Sequence, residues 1–326
     1  MKRSRNKRAG WAVRVAIFSF VAVALCAGTI QWGAVRVSAN HPVLVEGNCD
    51  SPVPGTNVIT EHGTCGDYDG DGRIGTAEDT DGADRIFGTI NAALGPGTGA
   101  AAGTGANHNG TITIVKSGRF AETIYIGQNL SGPGGAGVTT PINVTLEAAP
   151  GVSADINAVF QGDPAGGNAS RQSQEGITVL YTTTGPNAVV TLRNLTVRNF
   201  ATGIAVGGNS RVVIDNCRLE NNFNHGIRVS GNARVVVNDT RVTATGFRFG
   251  PGSTGSPNPG NGISVEDKSQ ARILHSVFAQ NLAGGISNNT GVTSNVQVFK
   301  VSSHFNAVDI SGAGVTVAPD HNLSQN

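Results

Sequence analysis

The sequence predicts an all-β solenoid, in which the chain winds into stacked coils. One phrase, Gly followed by Ile, recurs at Gly203, Gly226, Gly262 and Gly285. The spacing from Gly203 to Gly226 equals the spacing from Gly262 to Gly285. The spacing from Gly226 to Gly262 is longer, because it contains one repeat and an additional segment. The additional segment is rich in Gly, Pro and Ser and lies around 250–261. The recurrence indicates a structural unit of constant length with one inserted loop.

Two further alternating apolar segments accompany each phrase. The second set is residues 190–192, 212–214, 235–237 and 272–274, and the third is 195–197, 217–219, 240–242 and 276–278. Three short strands per unit suit a coil whose strands each pair with a counterpart about 4.8 Å away in the next coil. A β-sandwich also gives evenly spaced strands. The constant length of the repeat favours the solenoid.

These repeats resemble the right-handed parallel β-helix of the pectin lyase-like superfamily, whose coils run through three sheets with an Asn-bearing bend between the second and third. The resemblance covers residues 111 to 326 and puts Asn194, Asn216, Asp239 and His275 in that bend. The predicted fold class is therefore an all-β, right-handed parallel β-helix solenoid with a short N-terminal capping helix. The repeat specifies architecture more tightly than activity, because this fold carries lyases, hydrolases, esterases and adhesins.

The N-terminus is predicted to carry an export signal. Six Lys and Arg residues precede an apolar run at 15–30, and Val37-Ser38-Ala39 offers a cleavage site of the small-x-small type. Residues 1–39 are therefore read as a signal peptide or, if uncleaved, as a membrane anchor, since 15–35 is about the length of one spanning helix. Either alternative places the body of the protein outside the cytoplasm, secreted or at the cell surface. The membrane is a partner only through an uncleaved segment.

Charge and composition exclude some partners. The first 39 residues hold seven of the 23 Lys and Arg and none of the 22 Asp and Glu, so 16 basic and 22 acidic residues remain, a formal charge of −6. Nucleic acid is not an expected partner of such a chain. Both tryptophans also precede residue 40, which counts against a dedicated sugar-stacking module. Polysaccharide remains the candidate partner, and no oligomeric state is assigned.

Residues 40–80 are predicted to form a cap that contains a disulfide. Cys49 and Cys65 bracket a segment with Pro and Gly, and disulfides persist in exported proteins. Closing such a loop stabilises a protein by roughly 3 kcal/mol in the chain-entropy model. The third remaining cysteine, Cys217, falls in an inward column of the repeat and is predicted to be a small buried core residue.

The strongest motif follows Cys65 and predicts a calcium site. Counted from the first aspartate, acidic residues fall at positions 1, 3, 5 and 12 of residues 67–78, with Gly at position 6. Hard Ca²⁺ takes six to eight oxygen ligands, which such a loop supplies. The loop resembles that of EF-hands and dockerins, although Cys65 and Gly66 replace the entering helix, and a solvated acidic turn is the alternative. The predicted ligands are Asp67, Asp69, Asp71, the Arg73 carbonyl and Glu78.

Residues 81–110 are predicted to hold a capping helix and a flexible loop. Ile86, Phe87, Ile90, Ala93 and Leu94 recur at helical spacing within residues 76–94, and Gly-Pro follows directly. An amphipathic helix here would cover the open end of the first coil and block edge-to-edge pairing. Residues 95–110 are rich in Gly, Ala and Thr without periodicity, so they read as a loop. The β-helix itself is predicted over 111–326.

The resemblance implies that substrates lie along the outside of the first sheet. Alternation points Ile and Val of each phrase inward, which leaves an outward column between them. Arg228 is its notable member, with His225, Arg248, Glu266 and Lys268 expected nearby. These five residues are the candidate substrate groove. The predicted outward column is Thr178, Ala205, Arg228, Ser264, Ser287 and Asp309.

No catalytic residue can be assigned from the sequence. A polysaccharide lyase needs a base and a cation that neutralises a uronate carboxylate, while a hydrolase needs clustered carboxylates. The signatures of polygalacturonases and pectate lyases are missing, apart from the partial Asn224-His225-Gly226. Two functions stay open: a structural or polysaccharide-binding surface protein stabilised by calcium, and a pectate-lyase-like enzyme acting by β-elimination on a uronate glycan. The sparse carboxylates favour the first.

Overall fold

The computed structural model describes residues 43–45, 85–87, 90–94, 110–127, 143–158, 175–182, 188–246, 260–290, 295–312, 315–317 and 322–323. All of them belong to one compact unit, 41–326. The predicted export segment, Cys49, Cys65, the predicted calcium loop and Arg248 lie outside the described residues. Within the described part of the chain, no helix is both long and apolar enough to cross a membrane.

The glycine-led phrases form one parallel sheet, called sheet I. Its seven strands stack in chain order, each one coil after the last. Ile204, Ile227 and Ile263 align along the stack, as do Val206, Val229 and Val265. In order the strands are β5 (Ile124–Gly127), β8 (Glu175–Tyr181), β11 (Thr202–Gly208), β14 (His225–Val229), β17 (Asn261–Glu266), β20 (Gly284–Asn289) and β23 (Val308–Ser311).

The second set of segments forms sheet II, which has ten parallel strands. Two of them come from residues before 110 and extend the sheet at its N-terminal edge, where Val43–Val45 pairs with both Arg85–Phe87 and Gly110–Ile114. In stacking order they are β2 (Arg85–Phe87), β1 (Val43–Val45), β3 (Gly110–Ile114), β6 (Val144–Ala148), β9 (Val190–Arg193), β12 (Arg211–Asp215), β15 (Arg234–Asn238), β18 (Gln270–Leu274), β21 (Val296–Phe299) and β24 (Val315–Val317).

The third set forms sheet III, with eight parallel strands, so each full coil visits sheets I, II and III in turn. Its strands in chain order are β4 (Gly118–Phe120), β7 (Ala154–Asn157), β10 (Leu195–Arg198), β13 (Arg218–Glu220), β16 (Arg241–Thr243), β19 (Val277–Ala279), β22 (Ser302–His304) and β25 (Asn322–Leu323). Every described pairing among the three sheets is parallel, as in a β-helix and unlike an antiparallel β-sandwich.

One aliphatic core runs through the coils. Inward side chains such as Ile204, Ile227 and Val237 have no exposed surface, and Phe200 and Phe278 are the largest fully buried side chains. The leading glycines are needed because successive coils approach closely: a Cβ on Gly226 would lie 2.2 Å from Cγ1 of Val242 and 2.6 Å from the Gly262 carbonyl oxygen. No side chain fits there without moving a neighbouring coil.

The bend between sheets II and III follows the predicted column. Asn194, Asn216, Asp239 and His275 all have positive φ, between 46° and 58°, and Lys300 continues the series at 48°. The Asn216 Nδ2 donates to Asn194 Oδ1 at 2.8 Å, which joins neighbouring coils through their side chains. Asn suits this left-handed conformation better than most non-glycine residues. The predicted bend is confirmed.

The capping helix is shorter than the periodicity predicts. Helix α1 spans Ile90–Leu94, whereas Ile86 and Phe87, which the spacing assigns to the helix, lie in β2. Pairing with β1 is the reason: residues 85–87 add a strand to sheet II. The Glu122 carboxylate accepts hydrogen bonds from the first two amides of α1, at 2.8 Å from Ile90 N and 3.0 Å from Asn91 N. This contact satisfies amides that the helix itself leaves unpaired.

Candidate functional site

The predicted groove residues fall on two neighbouring strands of sheet I. His225 and Arg228 lie in β14, and Glu266 ends β17, the adjacent strand. Lys268 lies in the turn that leads from β17 to sheet II, where its backbone N–H donates to the Gly231 carbonyl at 2.9 Å. Lys268 is exposed. The structure therefore brings Arg228 and Glu266 together and places Lys268 at the corner between sheets I and II.

Register confirms five of the six residues predicted for the outward column. Thr178, Ala205, Arg228, Ser264 and Ser287 align across five strands.

Asp309 is the exception, because Ile310 pairs with Ile286 and Ser311 pairs with Ser287. Asp309 instead stands opposite the glycine of the preceding phrase. Its Oδ1 accepts hydrogen bonds from Asn306 Nδ2 at 3.0 Å and Ser303 Oγ at 3.2 Å. The predicted position of Asp309 is wrong, because Ser311 occupies that place in the register.

The small members of this column are buried, so the column is not an open channel. Thr178, Ala205, Ser264 and Ser287 are each less than 9% exposed, whereas Arg228 is exposed. Burial without a partner would be costly for the hydroxyl groups. The buried Thr178 hydroxyl has such a partner, because its Oγ1 donates to Glu175 Oε2 at 2.7 Å.

Five polar side chains form a continuous hydrogen-bonded chain across β14, β17 and β20, called the polar row. Arg228 Nε donates to Glu266 Oε2 at 3.0 Å, and Ser264 Oγ donates to Glu266 Oε1 at 3.0 Å. Asn289 Nδ2 donates to Ser264 Oγ at 3.2 Å, and Ser287 Oγ donates to Asn289 Oδ1 at 3.2 Å. Arg228 and Asn289 are exposed. The row presents a guanidinium, a carboxylate and an amide on one face.

His225 begins β14 and is half-buried. Burial lowers the pKa of its imidazole to about 4, against a smaller opposing effect of Glu266. Its Nδ1 is inaccessible and makes no hydrogen bond, and the same is true of Oδ1 of Asn224 beside it. His225 is therefore neutral near pH 7, so it supplies no positive charge to the groove.

Two described features of this face differ from what a glycan-cleaving enzyme needs. The predicted cation, Arg228, is already neutralised by Glu266 at 3.0 Å. The carboxylates of the described part of this face, Glu175 and Glu266, lie on β8 and β17, which are three strand spacings apart, roughly 14 Å. Paired carboxylates of glycosidases stand about 5 to 9.5 Å apart.

The described residues also contain neither a metal-binding cluster nor a reactive thiol. No group of three or more His, Cys, Asp or Glu side chains in that part of the chain is arranged to hold a metal ion. Cys217 is free and buried, as predicted, and burial raises the pKa of its thiol to about 12. A thiol held in this form is a poor nucleophile.

A cavity of about 310 Å³ lies at the bend between sheets II and III, on another side of the coil from the polar row. It arises where the bend changes length: residues 149–153 link β6 to β7, whereas Asn194 alone links β9 to β10. The sequence contains a signal for it, since Pro150-Gly151 lies in the link of the coil before Asn194, the first residue of the bend column. Its walls include Val152, Thr196, Asn216 and Arg218.

Comparisons with known proteins identify the family of the solenoid. No curated protein sequence matches this chain. Among solved structures, the chain is similar to the crystal structure of pectate lyase Pel9A, with 15% sequence identity, a TM-score of 0.41, and coverage of 88% of this chain and 80% of that one. A family described as the right handed beta helix region matches residues 149–318, which is just over half of the sequence. The chain therefore belongs to the right-handed β-helix family.

Proposed function

We propose that this protein is an exported, calcium-stabilised β-helix that binds polysaccharide through the polar row of sheet I. The observation that carries the proposal is the hydrogen-bonded chain from Arg228 to Ser287, which spans three coils and is exposed at Arg228 and Asn289. A sugar chain lying along the stack would meet a new polar group at each coil.

The groups of the polar row suit sugar hydroxyls. Guanidinium, carboxylate and amide groups are planar and offer donors and acceptors in fixed directions. Their partners within the row hold them in place before a ligand arrives, which lowers the entropy cost of binding. Because Arg228 and Glu266 offset each other in charge, the row suits a neutral glycan better than a uronate.

A non-catalytic role fits this site better than the lyase alternative. A lyase would need Arg228 to leave Glu266 and neutralise the substrate carboxylate, and would also need a nearby base. His225 has the required type of side chain, but its Nδ1 is inaccessible, which leaves only its other ring nitrogen to act as a base. The release of unsaturated, ultraviolet-absorbing products from uronate polysaccharides is the outcome that would favour the enzyme.

The proposed export and the proposed calcium binding are supported by the sequence alone. The basic and apolar N-terminus supports export, and the spacing of Asp67, Asp69, Asp71, Arg73 and Glu78 supports a structural Ca²⁺. Because a ligand that binds only the folded state stabilises it, added Ca²⁺ should raise the melting temperature, and a chelator should lower it. A Glu78→Gln variant should lose most of this response.

The central experiment measures retention of the full chain on a panel of neutral and acidic polysaccharides. Arg228→Ala and Asn289→Ala should each weaken retention of a neutral glycan severalfold. Arg218→Ala is the matched control, since Arg218 is also an exposed arginine paired with a glutamate, Glu220, but lies on sheet III. Retention that is unchanged by the first two variants, or absent across the panel, would overturn the proposal.

A further inference from the structure

A second surface, on the exterior of sheet II, carries positive charge that the described residues around it do not neutralise. Arg211 and Arg234 stand directly opposite each other on β12 and β15, so their backbones are about 4.8 Å apart. Both side chains are exposed, and neither makes an ion pair within the described part of the chain. Like charges directly opposite in a sheet are destabilising.

The carboxylates of this face are engaged elsewhere. Outward residues of sheet II fall into three columns, and from β6 to β21 the column of Arg211 and the column of Arg272 contain no Asp or Glu. The third column contains Glu147 and Asp215, and both pair with Arg193, at 3.3 and 3.0 Å. No described carboxylate therefore pairs with the three remaining arginines, which define the arginine face: Arg211, Arg234 and Arg272.

The rest of the arginine face suits an extended ligand. Gln270 and Gln297 are exposed, and Val213 and Val236 are half-buried beside Arg211 and Arg234, in the column of Arg272. The Arg272 guanidinium lies 5.5 Å from the ring centroid of Phe299, and this contact with the ring face leaves its N–H groups able to donate to a ligand. The face thus combines forked donors, amide groups and a short apolar strip on a regular sheet.

We propose that the arginine face binds an acidic polysaccharide, a linear sugar chain that carries carboxylate or sulfate groups. Guanidinium groups bind both anions in bidentate geometry. A polymer that crosses the strands would place successive anions at the coil spacing, where Arg211 and Arg234 lie. The choice of a sugar over another polyanion rests on the proposed function. The arginine face itself lies on sheet II and is distinct from the polar row of sheet I.

The test is binding of the full chain to carboxylated and to sulfated polysaccharides at increasing salt. The double variant Arg211→Gln, Arg234→Gln should bind at least tenfold more weakly, and the salt dependence of its binding should be shallower. The matched control is Arg218→Gln, Arg241→Gln, which removes the same charge from another register pair, on sheet III. This control should bind nearly as well as the wild type. Comparing the two polymers shows which anion is preferred.

The free protein gives an independent readout. Because the arginines repel each other, the Arg211→Gln, Arg234→Gln variant should unfold at the same or a higher urea concentration than the wild type. Equal loss of binding in the two double variants would mean that net charge alone matters and would overturn the proposal. So would tighter binding to DNA or to anionic vesicles than to any acidic polysaccharide. If Arg228→Ala still weakens retention of neutral glycan severalfold in that case, the polar row survives and only the arginine face fails.

Discussion

Arg198 binds Asp155 with two hydrogen bonds, from Nε at 2.8 Å to Oδ1 and from Nη2 at 2.6 Å to Oδ2. The two residues lie on neighbouring strands of sheet III, β10 and β7, and Arg119 approaches the same carboxylate at 3.6 Å. The Asp155 side chain is only 11% exposed. This contact raises the pKa of Arg198, mainly through the hydrogen bond to Asp155. It is the best-buried ion pair of the described coils.

Asp155→Asn should lower the free energy of unfolding by about 2 kcal/mol, because it leaves Arg198 partly buried without its counter-ion. Asp215→Asn is the control, since Asp215 pairs with the more exposed Arg193 and its loss should cost less than about 1 kcal/mol. Urea unfolding of both variants measures the difference. Equal costs would contradict the assignment of Asp155 as the stronger contact.

Gly226→Ala should be among the most destabilising single-methyl additions in the described coils. The new Cβ would lie 2.2 Å from Val242 Cγ1 and 2.6 Å from the Gly262 carbonyl, so coils must shift, at a cost of about 2 kcal/mol or more. Gly118→Ala adds the same methyl where nothing lies within 4 Å and should be nearly neutral. Thermal melting distinguishes the two. A Gly226→Ala protein as stable as the wild type would mean that the coils are looser than described.

Replacing Asn216 separates two roles of the bend residues. Asn216→Ala should cost about 1 to 2 kcal/mol, because Ala tolerates a φ of 49° poorly and the bond to Asn194 is lost. Asn216→Gly loses the same bond but accepts the backbone conformation, so its cost should be smaller. Equilibrium unfolding gives both values. A glycine variant less stable than the alanine variant would contradict the claim that the positive φ of Asn216 is what disfavours alanine here.

His225 should make the fold sensitive to acid. Its pKa is about 4 when folded, below the ordinary 6.5, so between these values the unfolded chain binds a proton that the folded chain does not. The free energy of unfolding therefore falls as pH falls from 6.5 to 4, by up to about 3 kcal/mol from this group. His225→Gln should remove that part of the pH dependence. A His225 imidazole resonance that titrates near pH 6.5 in the folded protein would contradict the prediction.

Much of the fold is encoded in the repeat. Its constant length determines which residues stack, so Ile204 with Ile227 and Asn194 with Asn216 can be aligned from the sequence alone. Irregular coils break the alignment. Residues 308–310 lack the leading glycine, so alternation places Asp309 in the wrong column. Residues 85–87 have helical spacing, but they pair with β1, a strand far earlier in the chain, and periodicity does not reveal that partner.

The candidate site is predictable only in outline. Alternation places Arg228 and Ser264 on one face, but it does not determine side-chain direction at the end of a strand, where Glu266 turns back to bind both. The repeat aligns Asn289 with Glu266, but it does not reveal that the Asn289 amide bonds to both Ser264 and Ser287. The arginine face does leave a signal in the sequence: Arg211 and Arg234 are separated by one full repeat.

Photoaffinity labelling tests the central claim, that sugar binds along the polar row, most directly. A neutral glycan retained by the wild type would carry a photoreactive group, and mass spectrometry would locate the cross-links. Cross-links are expected within residues 225–229, 261–266 and 284–289, and they should disappear in Arg228→Ala and persist in Arg218→Ala. Cross-links confined to sheet III or to the cavity lined by Asn216 and Arg218 would contradict that claim.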